Sequence, residues 1–175
     1  AHQSIITPSI GIAQPNIIYY EPCFADELKF LFFWAINYIQ EKDGSSVYFR
    51  LSTKKLIQPA RLFNNAISDD LLKGAYWFIK PQQQKSIILV CTGVMVSEVL
   101  KLQKEIQEEK VNLGILIVSS PDKIYTDWEK SKNKDREISH IEKILKKVDE
   151  NSTLITIIDG HSSALAWLGS VRGHK

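Results

Sequence analysis

The stretch SIILVCTGVMVSEVLKLQKEIQEEKVNLGILIV, residues 86–118, carries the most structural information in this sequence. Ser86 to Cys91 is a nearly continuous apolar run of strand length, the pattern of a strand buried on both faces of an α/β sheet. Thr92-Gly93 follows as a tight turn. A helix is predicted from about Val94 to Lys110, with Val96, Val99, Leu102 and Ile106 on its core face and Glu98, Lys101, Lys104 and Glu105 in water. Asn112 to Val118 is the next buried strand, so the stretch predicts a β-α-β unit.

Working outward, the same alternation continues. Ala75 to Lys80 predicts a strand, and Pro81 with its glutamines a turn. Pro121 to Lys130 is helical or loop-like, and residues 131–136 form a polar surface loop. Ile138, Ile141, Ile144, Leu145 and Val148 mark an amphipathic helix. Thr153 to Ile158 predicts a third buried strand, closed by Asp159-Gly160, with another helix opening near Ser162. Right-handed crossovers make 75–175 a mostly parallel, three-layer α/β domain.

The first part of the chain differs. Pro8, Pro15 and Pro22 interrupt residues 1–22, which are expected to be extended loop. Phe24, Leu28, Leu31, Phe32, Ala35 and Ile39 then fall on one helical face, and Asp26 and Glu27 sit where the helix dipole favours negative charge. Phe30, Phe32, Phe33 and Trp34 cover more than one face, so this helix packs between domains or forms a subunit interface. Ser46 to Ser52 predicts a strand with Val47, Phe49 and Leu51 on one side and Arg50 on the other. Residues 53–74 connect the two parts through a helical piece near Ser68 to Lys73.

Composition excludes several classes. With 175 residues and 44% hydrophobic content, the chain can bury a normal core. A net charge of +2 is too balanced for a nucleic-acid footprint. Two cysteines exclude a disulfide scaffold and a four-cysteine zinc site. The longest apolar run, Phe30 to Ile36, is too short to cross a bilayer. A reduced, cytoplasmic setting is the expectation.

Few motifs carry chemistry. No phosphate-binding G-x-G-x-x-G or G-x-x-x-x-G-K-[ST] accompanies Thr92-Gly93, which is therefore read as structural. Asp159, His161, Ser162 and Ser163 lack the G-x-S-x-G of a nucleophile elbow, so Asp159 or Ser162 is expected to cap a helix. His140 and His174 have no metal-ligand spacing. Cys23 and Cys91 are expected to be structural thiols. His2 lies in a loop, solvated or available for proton transfer.

One ordered set of stretches stands out: Ala1-His2-Gln3, Pro15-Asn16, Glu21-Pro22-Cys23 with the aromatic helix, SVYFRLST (46–53), GAYWFIK (74–80) and SIILVCTGVMVSEVL (86–100). This set resembles the thiamine-diphosphate-dependent transketolase family across nearly the whole chain. Through AHQSIITPSIGIAQP (1–15) and DGSSVYFRLST (43–53), it is most similar to the homodimeric, pyruvate-dehydrogenase-like decarboxylating components and their 2-oxo-acid dehydrogenase relatives.

The resemblance implies a transketolase C-terminal-domain-like three-layer α/β fold, preceded by the end of a pyrimidine-binding α/β domain. It divides the chain into 1–55 (pyrimidine-binding part), 56–74 (connection) and 75–175 (an incomplete C-terminal domain whose last strand is missing). His2 matches the family's loop histidine at the reaction centre, although the flanking Thr and Pro are Ala1 and Ser4 here. Gln3 and Thr53 are the implied substrate-binding residues. Thr53 stands where sugar-phosphate transketolases carry a phosphate-gripping arginine; Lys54 and Lys55 follow but lack its planar fork.

A small 2-oxo acid is therefore the expected substrate, and the whole protein an oxidoreductase. A lipoyl-bearing acyltransferase is the partner that the resemblance implies. Thiamine diphosphate and Mg²⁺ are the implied cofactors of the parent, which is a homodimer; the Gly-Asp-Gly motif that binds them does not occur in this chain. The stretch itself is expected to bind no cofactor or metal and to be inactive alone, with no nucleic-acid or membrane partner. The alternatives are a transketolase moving a two-carbon ketol unit between sugar phosphates, or a non-catalytic assembly or regulatory module.

Overall fold

Two hydrophobic cores lie on opposite faces of one sheet, and the period-two alternation of the central strands creates both. In a computed structural model, which describes residues 4–82, 84–106, 109, 111–133 and 137–174, this sheet has the order β3-β5-β4-β6. Its strands are β3 (Ala75–Ile79), β4 (Ile87–Cys91), β5 (Leu113–Val118) and β6 (Thr153–Ile157). Ile88, Val90, Leu116 and Val118 point to one face, whereas Leu89, Cys91, Ile115 and Ile117 point to the other. β4 pairs in parallel with both β5 and β6; β3 is antiparallel to β5. The sheet is therefore mostly parallel with one antiparallel edge, in an α/β fold.

Helices cover both faces. On the first lie α5 (Pro121–Ser131) and α6 (His140–Leu145), with the short α7 (Ser163–Ala166) and α8 (Gly169–Arg172). Ile124, Trp128, Ile141 and Leu165 anchor them. On the second lie α3 (Asn65–Lys73) and α4 (Val96–Glu105), anchored by Leu71, Val96 and Val99. Asn64 caps α3 by accepting from the Ile67 N–H at 3.0 Å, and Gly74 ends it with φ 106°. Serine caps α6, where Ser139 and Glu142 form a capping box.

The N-terminal part adds to the second face. A 3-10 turn (Thr7–Ser9) and α1 (Ile10–Ala13) lead into β1 (Ile17–Tyr20), which pairs in parallel with β2 (Ser46–Phe49) across α2 (Ala25–Tyr38). Tyr20, Phe24 and Leu31 join the core of Leu71, Leu89 and Ile117. Among the described residues, no helix is long and apolar enough to cross a membrane.

Several expectations need correction. Residues 1–22 are not all extended loop: Ile17–Tyr20 is a strand because a parallel partner, distant in sequence, supplies its hydrogen bonds. On α2 the buried stripe is Glu27, Leu31 and Ala35, while Phe32 (53%) and Ile39 (54%) are exposed. The buried arc is turned toward Glu27, a hydrogen-bonded glutamate that apolar periodicity does not count. β6 is an edge strand with Ile155 at 43% exposure, rather than a strand buried on both faces. α4 ends at Glu105, and Leu102 is exposed. The surface loop at 131–136 is described only to Asn133.

Leu116 is fully buried in the middle of β5 and contacts the first core. Leu116→Ala is expected to destabilise the chain by about 2–5 kcal/mol. Urea unfolding checks this as a lower midpoint with an unchanged slope.

Candidate functional site

After β4 the chain turns to one side, to β5; after β5 it crosses to the other, to β6. The helices that follow β4 and β5 consequently start on opposite faces. This leaves a crevice at the carboxyl ends of β4 and β6, the place where open α/β sheets bind ligands. A cavity of about 640 Å³ occupies it, lined by Gly93 and Val94 after β4 and by Asp159 after β6. The N-terminal part closes its other side with Glu21, Arg50 and the segment Leu51 to Lys54.

Arg50 holds these elements together. Its Nη1 donates to Glu21 Oε1 at 2.8 Å, and its Nη2 to Asp159 Oδ2 at 2.9 Å. The Tyr19 hydroxyl donates to the other Glu21 oxygen. The Glu21 N–H donates to the Ser119 carbonyl at 2.8 Å, joining the end of β1 to the end of β5. Gly93 adopts φ 48°, and a Cβ there would run into the Glu21 carboxylate. A glycine is thus required both by backbone conformation and by close approach.

Burial raises the pKa of Glu21, with Tyr19 and Arg50 opposing the shift. Burial together with Glu21 pushes Tyr19 far up, so its hydroxyl remains a donor.

The N-terminal loop is pinned to the same corner. The His161 N–H donates to the Ile5 carbonyl. A Cβ on Gly160 would lie 2.6 Å from Pro8 Cγ, showing how closely the 3-10 turn packs there. Ser4 and Thr7 line the cavity. At the same end of β1, Asp122 accepts from the Tyr19 N–H at 3.0 Å and from the Ser120 hydroxyl at 2.5 Å.

A second buried network supports the outer wall. Glu27 accepts from the Cys23 N–H at 2.8 Å and from the Tyr76 hydroxyl, and pairs with Arg61 at 3.0 Å. Arg61 also binds Asp26 and lies 4.1 Å from the centre of the Phe24 ring. Gln58 accepts from the Ala25 N–H at 2.9 Å, fixing residues that line the cavity. Burial raises the pKa of Glu27, while Tyr76 and Arg61 oppose the shift.

Of the residues singled out from sequence, Thr53 lines the cavity beside Ser52 and Lys54, and Lys54 pairs with Glu98 at 3.3 Å. His2 and Gln3 lie outside the described residues. Ser162 takes the N-cap position of α7, whereas Asp159 does not cap a helix. Asp159 is drawn into the Arg50 ion pair, and Ser162 makes no capping hydrogen bond; His161 Nδ1 and Ser163 Oγ bond each other at 2.8 Å. Cys23 and Cys91 are buried thiols, raised in pKa by burial, Cys91 to about 12. The partnership of Glu21, Arg50 and Asp159 is missed by sequence reasoning because it spans 138 positions; the alternation in SVYFRLS separates Arg50 from its apolar neighbours but does not name its partners.

Among the described residues, no group of three or more His, Cys, Asp or Glu side chains could hold a metal ion. The two carboxylates that line the cavity, Glu21 and Asp159, are both engaged by Arg50, so the described residues offer no free acidic group there to a magnesium-bound diphosphate.

The architecture is that of the C-terminal region of transketolases. No protein-family model matches the chain, and no curated protein matches it. Solved structures do. Transketolase from Campylobacter jejuni aligns over 95% of this chain and 23% of its own, at 20% identity and a TM-score of 0.68. A split-gene transketolase described as an inactive β4 tetramer aligns over 97% of this chain and 49% of its own, at 16% identity and a TM-score of 0.59. Transketolase from Leishmania mexicana aligns over 93% and 21%, at 11% identity and a TM-score of 0.60. The likeness establishes the fold, and the chain spans about a fifth to a half of these structures' lengths.

Because burial raises the pKa of Glu21, the folded state binds its proton more tightly than the unfolded state does. Its contribution to stability is full below the unfolded value and is lost as pH rises through the folded value. The difference in unfolding free energy between Glu21→Gln and the natural chain is expected to move in the variant's favour from pH 4 to pH 8. Urea titrations across that range check it; a pH-independent difference contradicts it.

Proposed function

We propose that this chain is the C-terminal portion of a thiamine-diphosphate-dependent enzyme, and that the whole protein transfers a two-carbon ketol unit between sugar phosphates, as a transketolase does. The carrying observation is the cavity at the sheet's switch point, where the loop directly following His2-Gln3 meets Arg50, Ser52, Thr53 and Lys54. The neighbouring solved structures are transketolases, and one from Pichia stipitis is described as a complex with xylulose 5-phosphate.

In this reading the cofactor, held by residues elsewhere in the protein, supplies the electron sink for carbon–carbon cleavage. This chain's part is positioning. His2 donates a hydrogen bond to the substrate's oxygens, with Gln3 beside it. Ser52, Thr53 and Lys54 form the wall that meets the far end of the substrate. The domain limits 1–55, 56–74 and 75–175 belong to the same proposal. So does assembly as a homodimer, supported by the exposed Phe32 and Phe33 on α2. Inactivity of the isolated chain is also part of it, in line with the description of the split-gene protein as inactive.

A second reading has its own observation. Position 53 is threonine, and Arg50 is already engaged by Glu21 and Asp159. The cavity's formal charge from Arg50, Lys54, Glu21 and Asp159 cancels, which suits a small 2-oxo acid better than a dianionic phosphate. The whole protein is then a 2-oxo-acid dehydrogenase component passing its acyl group to a lipoyl-bearing acyltransferase.

The whole enzyme, assayed with xylulose 5-phosphate and an aldose acceptor, is expected to transfer the ketol unit. His2→Ala should lower kcat by roughly 10²–10³-fold, the loss typical for one oxyanion-stabilising donor. Pyruvate-dependent reduction of an artificial acceptor without ketol transfer selects the second reading. Undiminished turnover in His2→Ala removes that residue from the mechanism.

A further inference from the structure

Among the described residues, β3 is an edge strand, hydrogen-bonded only to β5. α3 lies on one face of the sheet beside it and α6 on the other, and between them a groove of about 690 Å³ follows its outer edge. Tyr76, Trp77, Lys80 and Pro81 form its floor.

The Ala75 carbonyl points away from β5 and is taken by His140 Nε2 at 2.7 Å. Backbone direction alternates along an antiparallel strand, so the N–H and C=O of Trp77, two residues on, face the groove as well. A bulge between Trp77 and Ile79 then shifts the register. Its signature is that Phe78 and Ile79 both contact the second core.

The walls are charged in one sense. Among the described residues, Lys73, Lys80, Lys143 and Lys147 line the groove against the carboxylate of Asp70, which Lys73 engages at 3.3 Å. Lys143 faces Glu137 at 3.9 Å, but that carboxylate is almost fully exposed and outside the groove lining. The whole chain carries only +2, so this is a local concentration of positive charge.

We propose that this groove binds an extended, acidic peptide segment of a partner protein, which adds as a strand to the outer edge of β3 while the flanking lysines hold its carboxylates. An edge strand binds peptide through main-chain hydrogen bonds, and the flanking side chains then select sequence. A peptide is favoured over other polyanions because only another strand offers the N–H and C=O that the Trp77 backbone matches. With Ala75 engaged by His140 and the register broken after Trp77, the main-chain contact is short and centred on Trp77. The groove is separate from the cavity at the carboxyl ends of β4 and β6, and its occupancy does not depend on the proposed catalytic reading.

The test is a fluorescence-anisotropy titration of the 175-residue chain with the labelled hexapeptide Val-Glu-Val-Asp-Val-Glu, alongside amide exchange of Trp77. Saturable binding is expected. Lys80→Glu with Lys147→Glu should weaken it at least about tenfold, as should N-methylation of alternate peptide nitrogens. Trp77 exchange should slow when peptide is bound. Lys101→Glu with Lys104→Glu, which reverses the same charge on α4, is expected to leave binding unchanged. If the double glutamate variant does not fold, Lys80→Gln with Lys147→Gln takes its place. Absence of saturation overturns the proposal. So does equal binding by the groove variant, by the N-methylated peptide or by a six-nucleotide oligothymidylate, or unchanged Trp77 exchange.

Discussion

A buried carboxylate that must be satisfied from several directions organises this molecule. Glu21 is 2% exposed, and an unpaired charge at such depth would be strongly destabilising. Tyr19 and Arg50 supply its partners, its own backbone reaches the end of β5, and Gly93 leaves the space for it. Each of these groups comes from a different part of the fold. Satisfying one side chain therefore fixes the positions of β1, β2, β4 and β5 relative to one another. Arg50 extends the linkage to β6 through Asp159. The crevice keeps its shape because its walls are tied through charged groups, which prefer definite geometry, as well as through apolar packing, which tolerates sliding.

The central sheet was legible in the sequence because burial on two faces leaves a strong mark. Ser86–Cys91 and Asn112–Val118 are apolar at nearly every position, and the helix between them has a clear stripe. β1 left no comparable mark: four residues between two prolines resemble loop until a distant partner strand is known. α2 misled for a different reason. Its buried arc includes Glu27, and a hydropathy pattern assigns glutamate to water. Only the positions of Cys23, Arg61 and Tyr76 explain why burial is tolerated there.

The candidate site shows the same division. Local signals placed a turn at Thr92-Gly93 and set Arg50 apart from its apolar neighbours. The pairings that turn these pieces into a cavity are long-range and ionic, and neither periodicity nor spacing reports them. Asp159 illustrates the point: next to a short helix it has the composition of a cap, but the guanidinium across the crevice is the stronger partner.

The two cysteines have a further consequence. Cys23 lies at the entrance to α2 and Cys91 at the end of β4, and both belong to the second core. Burial raises the pKa of each thiol and shields it from reagents in water. Both thiols are covered in the folded chain, so their modification by a reagent in water reports opening of this core rather than fraying at the surface.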